Sequence, residues 1–336
     1  MLKVCFFIVF WWLSVFCVAA KETVNVAIIE TLPVPIVSES REAFTDELTR
    51  ILPEHDIRFS IYNAEGSETQ ASDILRTLAH QSPPDLIVSV ATLATRALYQ
   101  SEEFAHIPKL FMVVSAPVEE GIVPALGKAS PRNITGESHV LDAKVKLDML
   151  DGILRAAKPS KPLTVGLVHS TYPSTATAVE KLVALQEQYE NINFVTISTP
   201  YIKGEEGIIT MTDDIARRLG EHAHMLDGYW LSSGPLVEAD GLIERVYSEY
   251  QLFPLFAESI ESVKNGALIG VVSEAQSIGK SAAKKAVLIL DNKSANGIPV
   301  DKMDNYTVAV NVATAIRLQL PIPSNYLKLS KNHIYH

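Results

Sequence analysis

Side chains able to bind a small polar ligand follow the ends of the predicted strands in this sequence. Most of them are hydroxyls or carboxylates. The first half of the chain contributes Glu30, Thr31, Asn63, Ala91 to Thr95 and Ser115, and the second half contributes His169 to Thr175, Ser232, Ser233, Glu258, Ser259, Ser273 and Glu274. Ligands of open α/β sheets bind beyond the carboxyl ends of the strands, so position alone marks this set as candidates.

The chemistry of this set suits a small charged solute. Hydroxyls beside helix N-termini bind a carboxylate or another small anion, because free backbone N–H groups and the positive dipole end favour negative charge. Glu30, Glu258 and Glu274 are candidates to face a ligand ammonium. The alternative for each Ser or Thr is structural, since the same hydroxyl can cap its own helix.

Catalytic, metal and cofactor motifs are absent or incomplete. The sequence contains no HExxH, GxGxxG or GxSxG, and the P-loop-like segment SEAQSIGKS has Glu274 where the first glycine is required. His222 and His224 point to different faces of a predicted helix. We therefore expect no catalytic residue, no metal and no cofactor.

Nine short apolar runs alternate with amphipathic stretches and predict the strands. They cover residues 24–29, 57–62, 85–90, 109–114, 163–169, 193–198, 226–231, 254–257 and 267–272. Continuous apolar strands between helices indicate parallel sheets covered on both faces. The predicted fold class is α/β, with two doubly wound sheets, and the segment AAKPSKP (156–162) is the clearest punctuation between the two halves.

Three capping boxes mark predicted helix starts. These are Ser67 with Gln70, Thr177 with Glu180, and Ser273 with Gln276. Pro235, after Ser233 and Gly234, fits a proline at the first position of a helix.

Composition and charge narrow the function classes. The chain has 336 residues, of which 47% are hydrophobic and 20% are charged, which excludes a disordered or fibrous protein and suggests two domains. The net charge of −10 and the lack of a Lys/Arg cluster argue against a nucleic-acid or anionic-membrane partner.

Residues 1–20 have the pattern of an export signal. Lys3 precedes an apolar run of about 13 residues, and the segment ends in Val18-Ala19-Ala20. The run is too short for a transmembrane anchor, although an uncleaved anchor remains the alternative. A lipid anchor at Cys17 is disfavoured because Phe16 is not small. We expect a soluble, exported, periplasmic protein whose mature chain has no cysteine, since Cys5 and Cys17 are both removed.

Several longer segments resemble a known family. They are YNAEGSETQASDIL (62–75), PDLIVSVATLATRA (84–97), IPKLFMVVSAPVEEGIV (107–123), NITGESHV (133–140), FAESIESVKNGALIGVV (256–272) and VAVNVATAIRLQLPIP (308–323). In their order and spacing the chain resembles the substrate-binding proteins of ABC transporters, in the family that includes binders of tryptophan and other aromatic amino acids. The resemblance runs over nearly all of the mature chain.

This resemblance implies a type I periplasmic-binding (Venus-flytrap) fold, in which two lobes joined by three crossings close over a ligand. The crossings would lie near Ser138, Ser273 and Asn305. The first lobe would be residues 21–138 plus 273–304, and the second lobe 139–272 plus 305–336. AAKPSKP would then be a loop inside the second lobe rather than the boundary that composition suggests.

The family's pocket positions map onto individual residues of this chain. Thr92 and Thr95 lie in the ATLAT turn, where the family has a threonine or serine followed by small residues. Ser115 stands at the threonine of the family's Thr-Asp-Pro turn. Ser170 and Ser174 stand near its Asn-Pro-Ser turn.

The same mapping shows departures from the family pattern, in which acids are lost at three places. Ala116 replaces an aspartate, the stretch from Ser233 replaces Thr-Asp-Asn, and Ser259 stands where an aspartate is common. The ammonium of an amino acid needs a buried counter-charge, which leaves Glu258 or Glu274 to supply one from a shifted position. The loss puts an amino-acid ligand in doubt.

The resemblance implies capture of a small solute, an amino acid with aromatic ones among the candidates, and delivery to an ABC permease. Tyr172, Tyr229 or Trp230 would stack on an aromatic ligand, the alternative for each being a core position.

An alternative partner to the permease is a membrane sensor. An exported α/β enzyme is disfavoured by the missing motifs, and a DNA-binding repressor is excluded because it needs a helix-turn-helix. A monomer is expected.

Overall fold

The computed structural model describes residues 21–157, 162–189, 191–237, 239, 241–250, 252–302 and 306–336. The predicted export signal, Asn305 and most of the AAKPSKP loop lie outside the described residues.

The helices and strands alternate along almost the whole described chain. The strands are β1 Glu22–Glu30, β2 His55–Asn63, β3 Leu86–Val90, β4 Lys109–Val114, β5 Lys128–Ala129, β6 Ile134–Ser138, β7 Leu163–Ser170, β8 Ile192–Thr199, β9 Gly228–Leu231, β10 Leu255–Ala257, β11 Ile269–Val272, β12 Pro299–Lys302, β13 Thr307–Asn311 and β14 Ile334–Tyr335. The helices are α1 Pro35–Ile51, α2 Glu68–Ala79, α3 Thr92–Gln100, α4 Ala143–Ala157, α5 Pro173–Ala184, α6 Gly204–His222, α7 Leu242–Glu249, α8 Ile260–Lys264, α9 Ala275–Asn292, α10 Val312–Leu318 and α11 Ser324–Ser330.

The strands form two seven-stranded sheets, one in each lobe. The first sheet has the order β2-β1-β3-β4-β6-β12-β5 and the second has the order β14-β13-β11-β10-β9-β7-β8. Pairing is parallel except for β5 with β12 and β11 with β13. The predicted fold class, two doubly wound α/β lobes, is confirmed. All nine predicted strands are present, and β5, β6, β12, β13 and β14 are additional.

Helices cover both faces of each sheet. Since alternate side chains of a strand point to opposite faces, each strand contributes to a core on either side. In β1, Val26 and Ile28 pack under α1 and α9, whereas Ala27 and Ile29 pack in the separate core with α2 and α3. The second sheet is covered in the same way, by α4, α5, α10 and α11 on one face and α6, α7 and α8 on the other.

The chain passes between the two sheets three times. It leaves the first sheet after β6, returns to the first lobe after β11, and passes to the second sheet between β12 and β13. Helix α9, which follows the second crossing, packs on α1 of the first lobe. This order supports the lobe boundaries inferred from the resemblance, which we keep as a proposal.

The predicted helix starts are correct in part. The Ser67 hydroxyl accepts a hydrogen bond from the N–H of Gln70 and caps α2. The prediction for Thr177 is wrong because α5 already begins at Pro173, where proline suits the first turn. The prediction for Ser273 is wrong because Glu274 is the cap residue of α9. Pro235 lies in a turn, and α7 begins only at Leu242.

No helix in the described part of the chain combines the length and the apolar composition needed to cross a membrane.

Candidate ligand-binding site

A cleft of about 300 Å³ lies between the two lobes, at the carboxyl ends of both sets of strands. This volume is at the lower end of the range for small-molecule sites. The first lobe contributes Thr31, Leu32 and Thr92 among others, and the second lobe contributes Tyr172 and Ser174. A ligand in this cleft contacts both lobes.

Six of the nine predicted site residues line the cleft together. They are Thr92, Ser115, Ser174, Ser233, Glu258 and Ser259. They follow five different strands, β3, β4, β7, β9 and β10, which is the convergence expected from the strand-end rule. Their role in binding stays a prediction.

Thr95, Ser170 and Glu274 do not line the cleft. The Thr95 hydroxyl donates to the carbonyl of Ala91 at 2.8 Å, so it is bonded inside α3. The buried Ser170 hydroxyl accepts the N–H of Tyr172 at 3.3 Å. Glu274 bonds to the Thr307 hydroxyl at the third crossing. The side chains of these three residues are therefore bonded within the protein, and we retain the other six as candidate contacts.

The three carboxylates predicted to face a ligand ammonium all have protein partners. Glu258 lies 2.7 Å from the Nζ of Lys146, with both side chains buried, and it also accepts the indole N–H of Trp230 at 2.7 Å. Glu30 pairs with Arg41 at 2.7 Å. Glu274 lies 3.6 Å from the Nε2 of His333. The charges of Glu258 and Glu30 are thus compensated, and a ligand ammonium has to compete with a protein cation for either of them.

Some hydroxyls at the cleft accept a backbone N–H of a helix, and others do not. The Ser259 hydroxyl accepts the N–H of Ser262 at 3.3 Å and caps α8, as the structural alternative expects. The Thr31 hydroxyl accepts the N–H of Ala94 at 3.0 Å. Ser115 and Ser174 line the cleft without such a capping bond among the described contacts.

Tyr172 and Tyr201 form an aromatic pair on the second-lobe wall. Their rings meet edge to face with centroids 5.0 Å apart. Burial raises the pKa of the Tyr172 phenol, which lies against the backbone of Leu93 and the hydroxyl of Thr92, and burial also raises the pKa of Tyr201 to about 12. Both phenols are therefore protonated donors at neutral pH.

The other two aromatic candidates are core residues. Trp230 stacks on Phe256 at a centroid distance of 5.9 Å, and the Tyr229 hydroxyl donates to the carbonyl of Leu219. Both rings are fully buried. Of the three aromatic residues considered from the sequence, Tyr172 alone lines the cleft.

His139 lies at the first crossing and lines the cleft, although the strand-end analysis does not select it. Its Nδ1 is buried without a hydrogen-bond partner in the described structure, and burial lowers the pKa of the imidazole to about 4. The ring is therefore neutral at neutral pH. The strand before it, β6, has the sequence ITGES, whose glycine and glutamate hide it from a search for apolar runs. The family-like segment NITGESHV is the signal that contains it.

Two non-glycine residues of the cleft lining have a positive φ. Ala91, before α3, has φ +71°, and Val113 in β4 has φ +57°. A β-branched residue rarely adopts this conformation, and the pairing of β4 with β6 shifts register between Phe111 and Val114. Local strain of this kind concentrates at functional sites, which agrees with a ligand site here.

No group of three His, Cys, Asp or Glu side chains is arranged to hold a metal within the part of the chain that the structure describes.

Comparison with known sequences identifies a family. The sequence model described as ABC transporter substrate binding protein matches residues 25–334. A tyrosine-binding protein of Clostridioides difficile (strain R20291) is 22% identical over 320 residues, covering 93% of this chain and 87% of the relative.

Solved structures share the fold. The ABC domain from Streptococcus pneumoniae, solved in complex with L-Trp, superposes with a TM-score of 0.76 at 20% identity and covers 92% of this chain and 98% of its own. A conserved domain protein of Vibrio cholerae superposes with a TM-score of 0.77 at 21% identity, covering 94% of this chain and 100% of its own. At these identities the likeness establishes the fold alone.

Proposed function

The chain belongs to the family of ABC transporter substrate-binding proteins, and from that membership we propose that it captures a small amino acid-like solute by closing its two lobes. The observation that carries this proposal is the cleft lined from both lobes by Thr92 and Ser115 on one side and Ser174 and Ser233 on the other. A ligand held by both sides binds the closed form better than the open form. Only such a difference in affinity shifts the population toward closure.

The walls of the cleft favour a solute with an apolar or aromatic body. Leu32, Val113, Leu141 and Val271 line it, together with the ring of Tyr172. The relatives named for tyrosine binding and solved with L-Trp point to the same ligand class. We therefore propose an aromatic amino acid as the first solute to test.

The polar end of such a solute has a defined environment. Hydroxyls of Ser115, Ser174 and Ser233 lie around the cleft and suit a carboxylate. Glu258 attracts a ligand ammonium less strongly than a free carboxylate would, because Lys146 already neutralises its charge. A solute that keeps the carboxylate but lacks the ammonium, such as an aromatic carboxylic acid, belongs in the same test.

Family membership also favours a partner. We propose that the closed form delivers the solute to an ABC permease outside the cytoplasm after cleavage of residues 1–20, with docking on a membrane sensor as the alternative. The protein works as a monomer without a cofactor in this proposal.

The experiment is ligand-dependent thermal stabilisation of residues 21–336 after unfolding and refolding to remove carried-over solute. L-tryptophan, L-tyrosine and L-phenylalanine are compared with indole-3-acetate, which lacks the ammonium, and with glucose and uracil. A ligand at 100 times its Kd adds about 2.7 kcal/mol to the stability and raises the melting temperature. Stabilisation by the aromatic amino acids supports the proposal, and no shift with any amino acid or aromatic acid contradicts it.

A further inference from the structure

The two lobes touch each other directly at the mouth of the cleft. The loop of residues 200–203, between β8 and α6 in the second lobe, lies against the loop of residues 64–67, between β2 and α2 in the first lobe. The hydroxyl of Tyr201 donates to the carbonyl of Gly66 at 3.0 Å. This hydrogen bond joins the lobes through residues outside the three crossings.

The fit around Gly66 is close. Its φ of +72° lies in the left-handed region, and a Cβ added there would come within 2.5 Å of the Tyr201 hydroxyl oxygen. The neighbouring Lys203 Cβ and Gly204 N would be 3.5 and 3.6 Å away, which is ordinary van der Waals contact. A side chain at Gly66 is therefore obstructed by one atom of the opposite lobe, the phenol oxygen.

A second direct contact joins the lobes outside the lining of the cleft. Lys181 of α5, in the second lobe, has its Nζ 2.5 Å from a carboxylate oxygen of Glu119, which follows β4 in the first lobe. Both side chains are partly exposed, so this ion pair alone adds little. It does not line the cleft, and it adds to the Tyr201 contact without involving the solute.

We propose that Tyr201 and Gly66, assisted by Lys181 and Glu119, form a latch that favours the closed arrangement of the lobes and thereby sets the affinity for the solute. The latch deepens the proposed function and rests on it only for the link to affinity. The measured Kd equals the Kd of the closed form divided by the fraction of molecules that are closed. Contacts between the lobes raise that fraction without touching the solute.

Gly66→Ala tests the latch by placing a methyl group against the phenol oxygen. Gly127→Ala is the matched control, because Gly127 has φ +77° in the same lobe and its added Cβ would have no heavy atom within 4 Å. Both variants carry the same backbone strain, but only Gly66→Ala obstructs closure. The double variant Gly66→Ala/Tyr201→Phe removes the obstructing oxygen and restores room for the methyl group.

Closure is measured directly by the distance between two spin labels. The mature chain has no cysteine of its own, so Thr69→Cys on α2 and Glu206→Cys on α6, both exposed, carry the labels specifically. Distances are recorded first without any solute and then with L-tryptophan and L-tyrosine as probes. The distances without solute test the latch, and binding of the probes tests the proposed function, so the two fail separately.

We expect Gly66→Ala to lose the short-distance population and to bind the probe at least tenfold more weakly, while Gly127→Ala keeps the original distances. The double variant should recover only part of the short-distance population, because the obstruction is removed but the hydrogen bond of the Tyr201 hydroxyl is lost as well. An unchanged distance in Gly66→Ala overturns the latch. A Gly127→Ala variant that opens as far as Gly66→Ala also overturns it, since backbone strain would then be the cause. If Gly66→Ala does not fold, the double variant Tyr201→Phe/Glu119→Gln is measured in its place. We expect its ratio of closed to open molecules to fall about fivefold. An unchanged ratio overturns the proposal.

Discussion

The ammonium nitrogen of Lys146 lies 2.7 Å from a carboxylate oxygen of Glu258, and both side chains are buried beside the cleft. Lys146 is in α4 and Glu258 follows β10, so the pair lies within the second lobe. The indole N–H of Trp230 donates to the same carboxylate. These contacts hold Glu258, a residue of the cleft lining, against the core of its own lobe. They also leave its carboxylate with a compensated charge.

Lys146→Met should lower the free energy of unfolding by about 3 kcal/mol, because it leaves Glu258 buried without its counter-charge. Urea denaturation of residues 21–336 measures the change. The double variant Lys146→Met/Glu258→Gln should recover part of the loss, since no uncompensated charge remains. Lys144→Met is the control on the same helix: Lys144 forms an exposed pair with Asp148, and its loss should change the stability little. A Lys146→Met variant as stable as the parent would contradict this account.

His139 should make the protein lose stability as the pH falls from 6.5 to 4. Burial lowers the pKa of His139 to about 4, with Glu258 opposing and Lys146 adding to the shift. Between these pH values the unfolded chain binds a proton that the folded chain does not, so stability falls as the pH is lowered. The loss from this one group reaches at most about 3 kcal/mol.

The measurement compares urea denaturation of the parent and His139→Gln at several pH values from 7 to 4. The parent should lose more stability than the variant across this window. His169, whose pKa is also lowered by burial, contributes in the same direction and remains in both proteins. His80→Gln, at an exposed position, should follow the parent. Parallel curves for the parent and His139→Gln would show that His139 is not responsible.

Gly279→Ala should destabilise the first lobe, because α9 and α1 approach each other closely there. An added Cβ would lie 2.6 Å from the Cβ of Ala43 and would also contact the carbonyl of Ser40. We expect a loss of about 1–3 kcal/mol from this overpacking, seen as a lower melting temperature. Gly152→Ala on α4 is the matched control: its nearest atom would be 3.6 Å away, so better helix propensity should raise stability by about 0.5–1 kcal/mol. Equal effects at both positions would contradict the close approach.

Sequence patterns predict the apolar central strands well, but they miss strands next to the crossings between the lobes, such as β12. Runs such as KLFMVV are buried on both faces, so their composition alone identifies them. Strands such as β12, with the sequence PVDK, become strands only because a partner from a distant part of the chain pairs with them. That pairing is a tertiary effect that no local pattern contains.

The residues of the candidate site are likewise predictable in part from the sequence. The strand-end rule brings Ser115 and Ser233 to one cleft because it depends on topology, which the alternation of strands and helices predicts. It does not predict that Lys146 neutralises Glu258, since pairing of charges depends on packing between elements distant in the chain. It also misses Tyr201, which reaches the cleft from a loop after an edge strand and owes its place to the contact with Gly66.

Thr95→Val and Ser115→Ala should separate residues that contact the solute from residues that hold the site together. The buried Thr95 hydroxyl bonds to Ser89 at 2.9 Å and to the carbonyl of Ala91 at 2.8 Å, and it does not line the cleft. Its removal should cost about 1–3 kcal/mol of stability, because Ser89 is left unpaired in the core. The affinity for the solute should change less than twofold.

Ser115 lines the cleft, so its hydroxyl is a candidate contact for the carboxylate of the solute. Ser115→Ala should weaken binding about tenfold, the loss expected for a hydrogen bond to a charged group, with little change in melting temperature. Isothermal titration with the aromatic amino acid that binds best, together with thermal melting without solute, measures both quantities for each variant. A tenfold weaker affinity in Thr95→Val at unchanged stability, or an unchanged affinity in Ser115→Ala, would show that the lining of the cleft does not identify the residues that bind.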